Sequence, residues 1–281
     1  MSTLLEPFHR AFFVHGMYVS VLAGALCGLI GVYVVLRGMS YVGHGMSHAI
    51  FGGAIASFVM NINFYLGAGV WGFVSALMIN RVSHRRIIGA DAAIGVITTA
   101  SFAVGVVLIS LNHSFTRNFD AALFGSILGV TFDQVLIVAG VALAAGLMVF
   151  LLYRRLLFTT FDPEVAEASG VNVGRVDALF ALLLASTIVA TMRILGVTLI
   201  AAALVVPPVI ARMLTDSFGR MLWLSVIIGA ASGFLGLYIS WFLDVGSSGF
   251  IVLVDAAAFA AVYTLVGARG TRRLRGAAAH V

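Results

Sequence analysis

Apolar residues fill this chain in long blocks separated by short polar breaks, with no sustained amphipathic stripe and no two-residue alternation. The blocks lie at roughly 16–36, 41–60, 64–80, 91–111, 133–153, 177–195, 197–213, 221–243 and 249–267. Each is of a length that crosses about 30 Å of hydrocarbon as a helix. One more apolar piece, 121–131, is too short to span and predicts a re-entrant or interfacial helix. The pattern predicts an all-α, polytopic transmembrane helical bundle of eight or nine spans, a single domain over residues 1–281.

Composition supports that reading. The chain has 281 residues, 62% of them hydrophobic and 10% charged, more apolar surface than a soluble core of this length hides. The first block follows Glu6 and Pro7 and continues too far for the apolar core of a cleavable leader, so the expectation is a chain that inserts and stays. All 16 basic residues are arginine. With the N-terminus outside, Arg37, Arg81, Arg85, Arg86, Arg154, Arg155, Arg175, Arg212, Arg220, Arg269, Arg272, Arg273 and Arg275 fall in the cytoplasm. Arg10, Arg117 and Arg193 remain outside, a bias that follows the positive-inside rule. The net charge of +5 is thus a matter of topology, and nucleic-acid binding is excluded. The single cysteine, Cys27, sits inside a block and allows neither a disulfide framework nor a cysteine metal cluster.

Small-residue runs, Gly52-Gly53-Ala54 and Gly229-Ala230-Ala231-Ser232-Gly233, predict close helix approach. Pro207-Pro208 removes backbone donors inside the block at 197–213 and predicts a kink or a gate there. On the cytoplasmic side, the connection at about 155–176 carries Phe161-Asp162-Pro163-Glu164. Asp162 suits an N-cap, Pro163 the first helical position, Glu164 the first turn, and Gly170 the far end. That predicts a short surface helix, either an ordinary solvated connection or a docking element for a soluble partner. Residues 268–281 read as a cytoplasmic tail.

Ionisable groups inside hydrocarbon mark function. Here they are His44 and His48 in the second block, Asp255 in the ninth, and Arg193 near the outer end of the sixth. His44 and His48 lie four residues apart, on one face of a helix. Neutral imidazole suits zinc, copper, iron and nickel, and tolerates manganese with carboxylate help. Two ligands are an incomplete set, so a second copy across a two-fold axis or an added carboxylate is needed. Asp255 is a candidate for that carboxylate, or else pairs with a neighbouring polar group. The loop Asn112 to Asp120 is a solvated outer surface or an entrance. Hydrolysis is excluded by position: the closest string to a serine nucleophile motif is Ala230-Ala231-Ser232-Gly233, with no histidine in a later span. A phosphate-cradling loop with lysine is excluded because the chain has no lysine.

Five ordered blocks carry a resemblance. They are Gly31 to Ser40 leading into Ser47-His48-Ala49; Ala93-Ile94-Gly95-Val96; Leu123-Phe124-Gly125-Ser126-Ile127-Leu128; Phe161-Asp162-Pro163-Glu164; and Leu204 through Pro207-Pro208 to Arg212. From about Gly24 to Gly267 the chain resembles the membrane permease subunit of bacterial ATP-binding cassette importers for zinc, manganese and iron. The resemblance implies a type II-like importer fold in the cell's inner membrane and a homodimeric pore. It also implies a separate cytoplasmic ATP-binding subunit, an extracellular metal-binding protein, and transported zinc or manganese rather than a resident cofactor. His48 matches the family's metal-contacting histidine, and Asp162-Pro163-Glu164 its ATPase-coupling segment. At His44 the chain departs, since the family usually carries aspartate there. A stand-alone proton-coupled metal carrier, using His44, His48 and Asp255 as a relay, is the alternative from another class. A permease for chelated iron or cobalamin is the alternative within the same class.

Overall fold

The computed structural model describes residues 5–84, 90–111, 125 and 129–278. Among them every regular element is helical. A 3-10 turn at Glu6–His9 precedes α1 (Ala11–Leu36), α2 (Ser40–Val59), α3 (Phe64–His84), α4 (Ala90–Leu111) and α5 (Phe132–Leu151). Two short helices, α6 (Tyr153–Phe161) and α7 (Pro163–Ala168), lead to α8 (Val173–Leu214), α9 (Phe218–Leu243) and α10 (Ser247–Ala278). The piece at 121–131 and the loop at 112–120 lie almost wholly outside the described residues. The expected tail begins as a continuation of α10, which runs to Ala278.

Helix ends follow local chemistry. α1 stops because Gly38 takes a left-handed backbone at φ 66°, letting Met39 N–H reach Val34 O at 2.9 Å and Gly38 N–H reach Val35 O at 3.1 Å. The same paired closure ends α2 at Asn61 and α7 at Gly170. At the start of α7, Asp162 Oδ1 accepts from Val165 N–H at 3.0 Å, with Pro163 in the first turn, the cap its sequence predicts.

Small residues set the packing. α1 and α9 run antiparallel: Gly24 meets Gly229 backbone to backbone, and Gly28 meets Ser225, whose hydroxyl donates to Gly28 O at 2.7 Å. A Cβ at any of these glycines would collide with the facing chain, which is the small-xxx-small logic of membrane helices. α8 is the hub, packing on α1, α2, α3, α9 and α10.

The blocks at 177–195 and 197–213 fall in that one 42-residue element. Straight, it would be about 63 Å long, twice the hydrocarbon thickness. It is not straight. Near its start, Asp177 pairs with Arg37 at 2.7 Å and Phe180 packs on Tyr33. Yet Leu204 O lies against Gly31, two residues from Tyr33. Positions 180 and 204 thus both lie beside the same end of α1, although a continuous helix would put them about 36 Å apart, so the element doubles back. The reversal is at Gly196, the only residue of the element with non-helical backbone, at φ 77° and ψ 162°. The double proline lies within helical backbone in the second leg. Without an N–H, Pro208 leaves Leu204 O free of its helical bond, and that oxygen faces the bare Cα of Gly31.

Six helices of the described residues are long and apolar enough to span a membrane: 11–36, 94–111, 132–151, 173–214, 218–243 and 247–266. This differs from the eight or nine windows expected. α2 and α3 have 20 and 21 residues but carry His44 and His48, and Asn80, Arg81 and His84, which dilute their apolar content. The two legs of α8 count there as one.

Candidate metal site

α2 owes its position to glycines. Gly43 faces Leu204 of α8, Gly45 faces the Ile94 and Thr98 side chains of α4, and Gly52 lies on the Ser101 backbone of α4. A helix clamped on these faces presents its remaining face, and that is where His44 and His48 project. Both rings are half-buried. Their centroids are 4.7 Å apart with planes at 76°, close enough for a nitrogen of each to reach one ion at the usual bond length of about 2.1 Å. His48 stands edge-on to Phe102 of α4 at 5.1 Å, and Phe102 stacks on Phe51. Tyr41, one turn before His44, is 66% exposed, so this face is open in a single chain.

Ser47 fixes the register of the pair. Its hydroxyl lies 2.7 Å from His44 O and 2.9 Å from Val197 O, a shared donation that ties α2 to the first residue after the Gly196 turn.

Asp255 is placed elsewhere. It is 1% exposed, on α10, which packs on α8 and α9. Ser232 of α9 is its hydrogen-bond partner, Cys27 of α1 is nearby, and its Oδ1 has no partner. α2 packs instead on α3, α4 and α8. The structure thus brings the two histidines together and leaves Asp255 in a different seam. No group of three or more histidine, cysteine or acidic side chains is gathered among the described residues. Arg193 lies over the rings of Phe64 and Tyr65, at 5.1 and 5.9 Å, closing the outer end of α3 on α8.

At the arginine-rich end lies a cluster that sequence reasoning missed. The Arg37 side chain, 8% exposed, pairs with Asp177 at 2.7 Å, bonds Thr159 and Thr160 of α6 at 3.0 Å each, and stacks over Phe180 at 4.6 Å. Charge counting treats it as one of thirteen cytoplasmic arginines. The available signal was its place one residue after an apolar block and just before the histidine-bearing helix.

Comparison with known proteins agrees with this architecture. The profile of the ABC 3 transport family matches residues 9–265. The chain is 36% identical over 259 residues to the manganese transport system membrane protein MntC of Halalkalibacterium halodurans, covering 92% of this chain and 89% of that one. It is 33% identical over 259 residues to the chelated iron transport system membrane protein YfeC of Yersinia pestis, covering 92% and 88%. Among solved structures, PsaBC from Streptococcus pneumoniae in complex with Fab superposes with a TM-score of 0.84 at 32% identity, covering 93% of this chain and 95% of that one.

Proposed function

The chain belongs to the ABC 3 transport family, and from that membership we propose that it is the multi-pass inner-membrane permease of an ATP-driven importer for divalent transition metal ions, zinc or manganese. The observation that carries the reading is the His44–His48 pair, two facing imidazoles on a helix inside the bilayer. His44 and His48 contact the ion in transit. Two ligands from one chain make half a site, so a second copy of the chain completes it, giving a mixed or all-imidazole shell along a shared pore. Four imidazoles favour zinc on ligand grounds, whereas similarity to MntC favours manganese. The ion is cargo, with no cofactor permanently bound.

The chain is the transport subunit, and a separate cytoplasmic chain hydrolyses ATP. That subunit docks on Phe161, Asp162, Pro163 and Glu164, at the junction of α6 and the capped helix α7. An extracellular metal-binding protein delivers the ion at the opposite end. With α2 and α3 crossing alongside the six spans the crossings number eight, or nine with the two legs of α8 counted separately. Pro207 and Pro208 lie in the second leg, with Pro208 against Gly31 of α1, and a gate would act there.

The stand-alone carrier is disfavoured because its relay needs Asp255 beside the histidines, and α10 does not pack on α2. Chelated iron stays as the second reading, supported by similarity to YfeC.

The test is uptake of radiolabelled zinc and manganese by the reconstituted complex with His48→Ala. Accumulation is expected to vanish while the ATPase subunit still copurifies; normal uptake would remove His48 from the path.

A further inference from the structure

Arg37 bonds Thr159 and Thr160, which immediately precede the segment proposed to dock the ATPase, and Asp177 near the start of α8, while its own backbone opens the three-residue connection to α2. We propose that Arg37 is a positioning residue that couples ATPase-driven movement of α6 and α7 to the helix bearing His44 and His48. The inference rests on the import reading above and adds to it the route by which the nucleotide cycle reaches the metal site.

The geometry is that of a lever. Thr159 and Thr160, at the end of α6, each lie 3.0 Å from a guanidinium nitrogen, and α6 runs directly into the capped helix α7. On the other side, Asp177 and the Phe180 ring hold the same guanidinium against the first leg of α8. The planar fork of arginine meets all these partners at once, which a lysine ammonium does not do. The Arg37 backbone then passes through Gly38 and Met39, closed by two hydrogen bonds, into Ser40 at the head of α2. Displacement of α6 therefore pulls on the α1–α2 corner, and His44 follows within about one turn of helix. Room for such a shift is present: a cavity of about 220 Å³ is lined by Arg37, Gly38, Met39, Met46 and Asp177 among others. It lies at the cytoplasmic end of α2, where a rigid, filled interface would block motion.

The experiment uses the whole complex, permease with its ATPase partner, in proteoliposomes, and reads ATP hydrolysed per zinc or manganese ion imported. Arg37→Lys is expected to copurify with the ATPase and hydrolyse ATP at near wild-type rate, while import per ATP falls about tenfold or more, the scale on which loss of a supporting contact acts on a metal site. The double variant Thr159→Val, Thr160→Val cuts only the α6 side of the contact, leaves Arg37–Asp177 in place, and is expected to uncouple in the same way. Wild-type import per ATP in either variant, or import and hydrolysis falling together in assembled complexes, would overturn the proposal. If the wild-type complex itself hydrolyses ATP and imports neither ion, the import reading fails instead, so the two failures are separable.

Discussion

The hydroxyl of Ser47 lies 2.9 Å from the carbonyl of Val197, so the helix that carries the histidine pair is bonded to the first residue after a glycine turn 150 positions later. A neutral buried hydrogen bond contributes about 1 kcal/mol, and an abandoned buried carbonyl costs more.

Ser47→Ala is therefore expected to lower stability in detergent by about 1–3 kcal/mol and to weaken zinc binding, because His44 and His48 flank the lost anchor. Thermal unfolding and isothermal titration of the purified complex check both. Unchanged affinity would show that the pair keeps its register without Ser47.

The imidazole at position 44 leads to a selectivity prediction. A carboxylate is the harder ligand and suits manganese, whereas imidazole suits zinc. His44→Asp is expected to shift competition uptake toward manganese relative to zinc, and an unchanged ratio would show that this position does not select.

Asp162 caps α7, and an N-cap is worth about 1 kcal/mol. Asp162→Ala should fray the six-residue helix and reduce copurification with the ATPase, whereas Asp162→Ser should retain both. Glu164→Arg should weaken the same complex without touching the cap. Full recovery of the complex by Asp162→Ala and Glu164→Arg would place the docking surface elsewhere.

Glycines divide into those under compression and those in the open. A Cβ at Gly28 would lie 2.9 Å from the Ser225 carbonyl carbon and 3.2 Å from Val226 Cα, both backbone atoms that cannot step aside, whereas nothing lies within 4 Å of one at Gly69. Gly28→Ala is expected to destabilise by about 1–3 kcal/mol as overpacking, and Gly69→Ala to be neutral or stabilising through the unfolded chain. Equal thermal midpoints for the two variants would contradict the packing described for α1 and α9.

Isosteric replacement tests the separation of Asp255 from the histidines. Asp255→Asn is expected to leave the zinc-to-manganese preference unchanged, since Asp255 bonds Ser232 of α9 and α10 packs on α8 and α9, while the histidine helix packs on α3, α4 and α8. An altered preference would place Asp255 on the ion's route.

What the sequence makes legible is what repeats locally. Apolar blocks mark the helices, and Asp162 with Pro163 and Gly170 marks both ends of α7, because cap chemistry depends on adjacent residues only. The four-residue spacing of His44 and His48 likewise becomes two facing rings without help from the rest of the fold. Asp255 shows the limit: a buried carboxylate announces a polar partner, but which helix supplies it depends on how α10 docks, a tertiary choice. Arg37 was hidden for a related reason, since its partners Thr159, Thr160 and Asp177 are more than 120 residues away. The reversal between the blocks at 177–195 and 197–213 was legible from length, since together they are too long for one crossing, but the left-handed backbone of Gly196 that makes it, with helix on both sides, was not.

That turn has an evolutionary consequence. Where most breaks in the chain are several residues long and tolerate lengthening, the reversal within α8 has no slack, because helix resumes at once on the far side of Gly196. One residue inserted after it would rotate the following leg by about 100°, carrying Val197 away from Ser47 and Leu204 away from Gly31 together. The number of residues between Gly196 and Pro208 is thus held by two contacts at once, a constraint that the loops do not carry.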